Sequence, residues 1–228
     1  MKKTAGLLIL LAFCLMAADF WKKPYTEWSD KDVTKMMTDS PWAKSASITM
    51  SFPGGGGAAP AFGGGGGGRG GGRGGPEGDQ GPPPPPSIEI VARCESALPM
   101  RQALVRKKFG AEAEKSADAQ KVLAEEPNSY EIVLSGSMGM FLRGGPDQLK
   151  QSLTEVTSLS TPRTGAIKPT TIEIGPPGKT MDVLFVFPRS MPFTVDDKEV
   201  EFATKLGTSN VKYKFRLKDM LVNGKPEM

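Results

Sequence analysis

The sequence predicts an α+β fold: a single domain with a largely antiparallel sheet and two or three helices, interrupted by a disordered Gly/Pro-rich insertion. Three observations predict it. Strict two-residue alternation flanks the insertion on both sides, at 45–52 and 88–95. Helical patterns with recognisable start and stop residues fall between the early strands. After about residue 153 the chain reads as strands joined by turns, with no helical pattern.

Residues 1–18 carry the layout of a secretory signal peptide. Lys2 and Lys3 are followed by an apolar run from Ala5 to Met16, then Ala17 and Ala18 before the polar Asp19. Crossing a bilayer takes ~20 apolar residues, and this run is well short of that. The expectation is cleavage after Ala17 or Ala18, export to the periplasm or the extracellular space, and no transmembrane span once processed.

Residues 19–52 form an aromatic arm and the first strand. All three tryptophans of the chain, Trp21, Trp28 and Trp42, lie in the arm beside Phe20 and Tyr25. Ser29 with Asp32 makes a capping-box pattern for a helix over about 30–38, with Val33, Met36 and Met37 on one face. Asp39-Ser40-Pro41 reads as a second helix start. The three tryptophans are either an aromatic platform for a glycan or peptide, or core aromatics docked on the sheet, which is their commoner use. In 45–52, Ala46, Ile48, Met50 and Phe52 share one side of a half-buried strand.

Residues 53–86 contain 17 glycines and 8 prolines in 34 positions. Such a segment cannot bury enough apolar surface to offset the entropy of ordering it. Its Arg69 and Arg73 resemble an RGG box, but two arginines and the single Phe62 are too few for nucleic acid. A spacer is the expected role, placed as an inflated loop between two paired strands.

Residues 87–228 complete the domain. Ile88, Ile90, Ala92 and Cys94 alternate with Glu89, Val91, Arg93 and Glu95. Ser96 reads as the cap of a helix that carries Pro99 in its first turn, ends in Arg106-Lys107-Lys108 and stops at Gly110. A second helix is expected over 111–125 and a short one from Pro146 to about Leu153. Strands are expected at 130–135, 171–174, 181–187, 199–206 and 211–217, with a last hairpin at Asn223-Gly224.

Composition narrows function. Setting aside the signal and the tract leaves 176 residues, enough for one real core. Net charge is +4, about +2 without the two signal lysines, so no strong field favours nucleic acid. There is no histidine, which removes the commonest general base and metal ligand. Cys94 alone remains beyond the signal, in a buried strand position. Near-motifs fail on context. Gly178-Lys179-Thr180 lacks the upstream glycine and the helix of a phosphate loop. Ser209 and Lys212 match S-x-x-K but open a strand. Asp196, Asp197 and Glu199 lack calcium-loop spacing. No catalytic, cofactor or metal residues emerge.

The stretches KDVTKMMTDSPWAK (31–44), CESALPMRQAL (94–104), LFVFPR (184–189) and DDKEVEFATKLG…KYKFRLKDM (196–220) resemble a group of uncharacterised exported bacterial proteins. That group carries tryptophan where this chain has Cys94. The resemblance implies a bacterial exported protein and brings no activity with it.

The expected function is therefore a non-enzymatic interaction or structural domain of the cell envelope. The alternative is an exported hydrolase using carboxylates or a Ser–Lys pair. The candidate binding surface is the row Lys212, Lys214, Arg216 and Lys218, stacked along one strand face. It would meet an anionic envelope polymer or another envelope protein. Its competing reading is a solvated face, with Glu199 and Glu201 neutralising part of the row.

Overall fold

The computed structural model describes residues 19–49, 87–142 and 144–228. The expected signal segment 1–18, the tract 53–86, the predicted strand extension 50–52 and Arg143 lie outside the described residues. The fold is the expected α+β domain with antiparallel pairing throughout. Among the described residues the strands divide into two sheets and a small hairpin, and there are four α-helices.

Helix α1 (Asp30–Thr38) starts where the sequence places it. Ser29 accepts from the Asp32 amide, and the Asp32 carboxylate accepts from the Ser29 amide, a reciprocal capping box. The predicted helix at Asp39-Ser40-Pro41 is corrected: the chain turns there instead. Ser40 Oγ donates to the Met36 carbonyl at 2.7 Å and accepts from the Trp42 amide at 3.2 Å. That turn sends Trp42 inward and opens strand β1 (Ala43–Thr49).

Strand β1 pairs antiparallel with β2 (Ser87–Cys94), from Ala43 opposite Arg93 to Thr49 opposite Ser87. The two strands flanking the Gly/Pro tract are thus neighbours, as expected. Helix α2 (Leu98–Phe109) follows, with Pro99 in its first turn and Gly110 at φ +58° closing it. Its expected cap is corrected. Ser96 Oγ accepts from the Glu131 amide at 3.0 Å, and the distant Glu227 carboxylate takes the Leu98 amide at 3.4 Å. The second helix is broken near its start: a 3-10 turn covers Gly110–Glu114, and α3 (Ala117–Ala124) begins again from Ser116 as N-cap.

Strand β3 (Ser129–Gly136) lies beside β2, and helix α4 (Pro146–Val156) follows. Two short strands then appear that the sequence reading does not contain, β4 (Ser158–Thr161) and β5 (Gly165–Ile167). Strand β6 (Thr171–Ile174) is joined to β7 (Met181–Pro188) by the GPPGKT turn, which is a strand connection as predicted. Strands β8 (Glu199–Leu206) and β9 (Ser209–Arg216) form the long hairpin. The last hairpin, β10 (Leu221–Val222) and β11 (Lys225–Pro226), turns on Asn223 and Gly224, both at positive φ, as a tight hairpin requires.

The larger sheet runs β1-β2-β3-β7-β6 and the smaller β5-β4-β8-β9. Their inner faces meet in one core. Phe202 of the smaller sheet packs edge-on to Phe185 and Phe187 of the larger, at ring centroids 5.3 and 6.2 Å apart. Tyr213 donates its hydroxyl to the Ile90 carbonyl at 2.8 Å, pinning one sheet to the other. Burying each such side chain contributes ~1.5–3 kcal/mol before entropy is counted. Gly136 is obligatory at the end of β3: a Cβ there would sit 2.7 Å from the Glu89 carbonyl oxygen.

Candidate functional site

Alternation gives the larger sheet an outer face as well as an inner one. Registered pairing places Val91, Ser135 and Asp182 in one row across β2, β3 and β7, with Arg93 and Val133 in the next. Helices α1 and α2 stand against this face. Between helices and sheet runs an open groove of about 940 Å³. Its floor carries Val91, Arg93, Glu95, Ser135 and Asp182, with the exposed Glu89 at the rim. Val33 and Met37 of α1 and Leu104 of α2 supply apolar wall, while Thr34 and Thr38 line the α1 side.

Arg93 organises the floor. Its Nε and Nη2 converge on one oxygen, Glu95 Oε1, at 3.0 and 2.9 Å, as charge-assisted contacts. Its Nη1 donates to Ser135 Oγ at 2.7 Å, and Nη2 lies 3.7 Å from Asp182. Ser135 Oγ in turn donates to Asp182 across the strands. The Arg93 side chain is only 10% exposed, so these partners replace water almost entirely. The result is a floor fixed before anything binds.

Charge at the rim is arranged differently. Among the described residues no ion pair involves Asp30, Glu89, Arg106 or Lys107, all of which line the groove. Arg106 donates to the Trp28 and Gly110 carbonyls and meets no carboxylate. Next to the groove, burial raises the Glu131 carboxyl above its ordinary range, and the nearby Glu95 charge adds to that.

The predicted surfaces fare differently. Lys212 reaches Glu201 at 3.0 Å and Lys214 reaches Glu199 at 2.6 Å, so half the basic row is neutralised by cross-strand partners. Arg216 pairs with Asp219 at 2.9 Å. Lys218 is corrected: the strand ends at Arg216, and Lys218 lies on a 3-10 turn over Leu217–Asp219, out of the row. The aromatic platform is corrected too. Trp28 and Trp42 are buried, with their indole N–H groups on the Lys23 and Glu227 carbonyls, and Trp21 is half-buried edge-on to Trp42 at 5.7 Å.

Cys94 is fully buried, and burial pushes its thiol well above the ordinary value. Ser209 and Lys212 sit on strand β9, not at a helix start. Asp197 is no calcium ligand: its buried carboxylate accepts from Arg163 Nε and Nη2 at 2.9 and 2.7 Å and from the Thr194 amide at 2.8 Å. Among the described residues no cluster of three metal-binding side chains occurs. The sequence reading placed Arg93 and Glu95 on the polar side of their strand. It did not bring Ser135 and Asp182 to them, because that step needs the register of three strands.

No protein-family model, curated protein or solved structure matches this chain.

Proposed function

We propose that this chain is an exported, non-enzymatic interaction domain whose working face is the groove over Arg93. One observation carries the reading: a groove floor already locked by the Arg93–Glu95–Ser135–Asp182 network beneath rim charges that make no ion pair among the described residues. A locked floor lowers the ordering cost of binding. The rim leaves charge for a partner to meet. Glu95 is held by the Arg93 guanidinium and Asp182 by the Ser135 hydroxyl, so both carboxylates are engaged as acceptors, which favours binding over the hydrolase alternative. Export rests on the signal pattern of residues 1–18, and the resemblance to exported bacterial proteins supports the same compartment.

A photo-reactive benzoylphenylalanine at the exposed Thr34 tests the groove in cells of a bacterial host. The expected result is a defined adduct in the envelope fraction, with the intact mass lacking 17 or 18 residues. Ala166, on the outer face of the smaller sheet, is the control position. No adduct from Thr34, or the same adduct from Ala166, would overturn the reading.

A further inference from the structure

In an antiparallel pair, alternate residues of a strand turn their amide and carbonyl to the same side. In β1 the even residues face β2, since the Trp42 carbonyl accepts from the Cys94 amide at 2.9 Å. The odd residues therefore face away from the sheet, and their partners can be followed one by one. Ala43 exchanges both bonds with Ser40 in the preceding turn, at 3.2 Å each. The Thr49 carbonyl accepts from Ser209 Oγ at 3.3 Å. Between these two ends, the amides and carbonyls of Ser45 and Ser47 meet no partner among the described residues. Both serines are exposed, and the cleft beside them, lined by 46–49 and 209–212, is open.

Edge strands invite pairing with another chain, and proteins blunt them with short length, proline or charge, lysine above all. Among the described residues the two large sheets have four edges, β1, β6, β5 and β9, and three of these are blunted. Strand β5 has three residues, and β6 has four, between Pro169 and Pro176. On β9 the odd residues face β8, in line with the Leu217 amide on the Lys198 carbonyl, so the outward backbone belongs to Asn210, Lys212, Lys214 and Arg216. Strand β1 has seven residues and no proline, and its unpartnered positions are small and uncharged.

The pattern is complementary to itself. With a second copy set antiparallel and Ala46 opposite Ala46, Ser45 lies opposite Ser47 of that copy and the two exchange both bonds; the symmetric pair does the same. Centring the pairing on Ser45 or on Ser47 would instead draw on Ala43 or Thr49, whose groups are already engaged. In the Ala46 register Lys44, the one charge in β1, faces Ile48 rather than another Lys44, and the opposed serine hydroxyls favour cross-strand contact. A foreign strand would be selected by pockets for its alternate side chains, which Ser45, Ala46 and Ser47 are too small to form.

We propose that β1 is a self-association edge: two copies join antiparallel through Ser45 and Ser47, with the twofold axis at Ala46, and their larger sheets run on as one. No residue of β1 lines the groove over Arg93, so this edge is tested apart from that face.

Sedimentation velocity of the purified protein, tract included, over a concentration series up to ~1 mM is expected to show a reversible monomer–dimer equilibrium. Ser47→Pro removes only an outward amide and leaves the β1–β2 ladder intact. It should raise the dissociation constant at least tenfold with an unchanged circular dichroism spectrum. The double variants Ser45→Lys, Ser47→Lys and Ser45→Glu, Ser47→Glu should each be monomeric, while an equimolar mixture of the two recovers the dimer. These charged variants decide the matter should the proline disturb the fold. Ala46→Cys should cross-link to a second copy under copper–phenanthroline oxidation, because the axis holds the two positions in a non-hydrogen-bonded pair with Cα atoms ~4.5 Å apart. Lys214→Cys on the β9 edge should not, nor should the parent chain, whose Cys94 is buried. Monomer at every concentration, a dimer indifferent to the charged variants, or cross-linking through Lys214→Cys but not Ala46→Cys would overturn the inference.

Discussion

The two sheets present outer faces written in the same alternating code, and they end up doing different things. On the smaller sheet, Lys212 and Lys214 pair with Glu201 and Glu199 across β8 and β9, with the lysines 63% and 57% exposed. On the larger sheet, Arg93 pairs with Glu95 at a similar distance, but its side chain is 10% exposed. The difference lies in what stands over the face. Helices α1 and α2 rise beside β2 and exclude water from Arg93; among the described residues no helix stands over β9 in the same way. The same residue chemistry gives a solvated ladder in one place and a locked floor in the other. A charged strand face therefore becomes a site only through its neighbours in space.

If exposure sets the strength of these pairs, the largest effect belongs to a pair with a fully buried carboxylate that lies in neither face. Asp197, just before β8, is 0% exposed and holds Arg163, Thr161 and Thr194. Asp197→Ala is expected to lower stability by about 3 kcal/mol, since it removes a buried charged acceptor and leaves the Thr161 hydroxyl and the Thr194 amide without their partner. Chemical denaturation measures it. The Arg163 guanidinium holds the Asp197 carboxyl at about 2, below its ordinary 3.8. Because the folded value is depressed, this contribution is full above about pH 4 and is lost as pH falls toward 2. Asp197→Asn should flatten that part of the acid-unfolding curve, and an unchanged curve would contradict the assignment.

Arg93→Met comes next, at about 2 kcal/mol: it leaves Glu95 and Asp182 facing an apolar group, but both retain some access to water. Glu131→Gln beside the groove should act with the opposite sign. Burial raises its folded value, so the ionised form opposes folding at neutral pH. The variant should be more stable than the parent at pH 7, and the gain should shrink as pH falls through the carboxylate range. The double variant Lys212→Gln, Lys214→Gln is the smallest, with the denaturation midpoint almost unmoved, because exposed pairs are screened by water and salt. A loss near that of Arg93→Met would erase the contrast between the two faces.

Much of this architecture is legible in the chain. The Ser29–Asp32 box, the alternation either side of the Gly/Pro tract, and the Asn223-Gly224 turn each act locally, so each can be read from neighbours in sequence. Strands β4 and β5 cannot. The segments SLST and GAI are too short to show a period, and their pairing is set by Phe202 and Glu201 more than forty residues away in β4's case. Ser96 is misread for the same reason: its hydroxyl is taken by β3, and a carboxylate near the C-terminal hairpin caps α2 instead. The groove was half visible. Arg93 and Glu95 share a face by alternation, but Ser135 and Asp182 join them only through the register of β2, β3 and β7.

We propose that the face over Arg93 binds a partner and that the Lys/Glu face does not. Backbone amide chemical-shift mapping of the isotope-labelled protein, titrated with the partner cross-linked through Thr34, separates the two. Shifts are expected at Val91, Arg93, Ser135, Asp182 and the facing residues of α1 and α2, with β9 silent. Shifts running along Lys212, Lys214 and Arg216, with the groove unmoved, would contradict it.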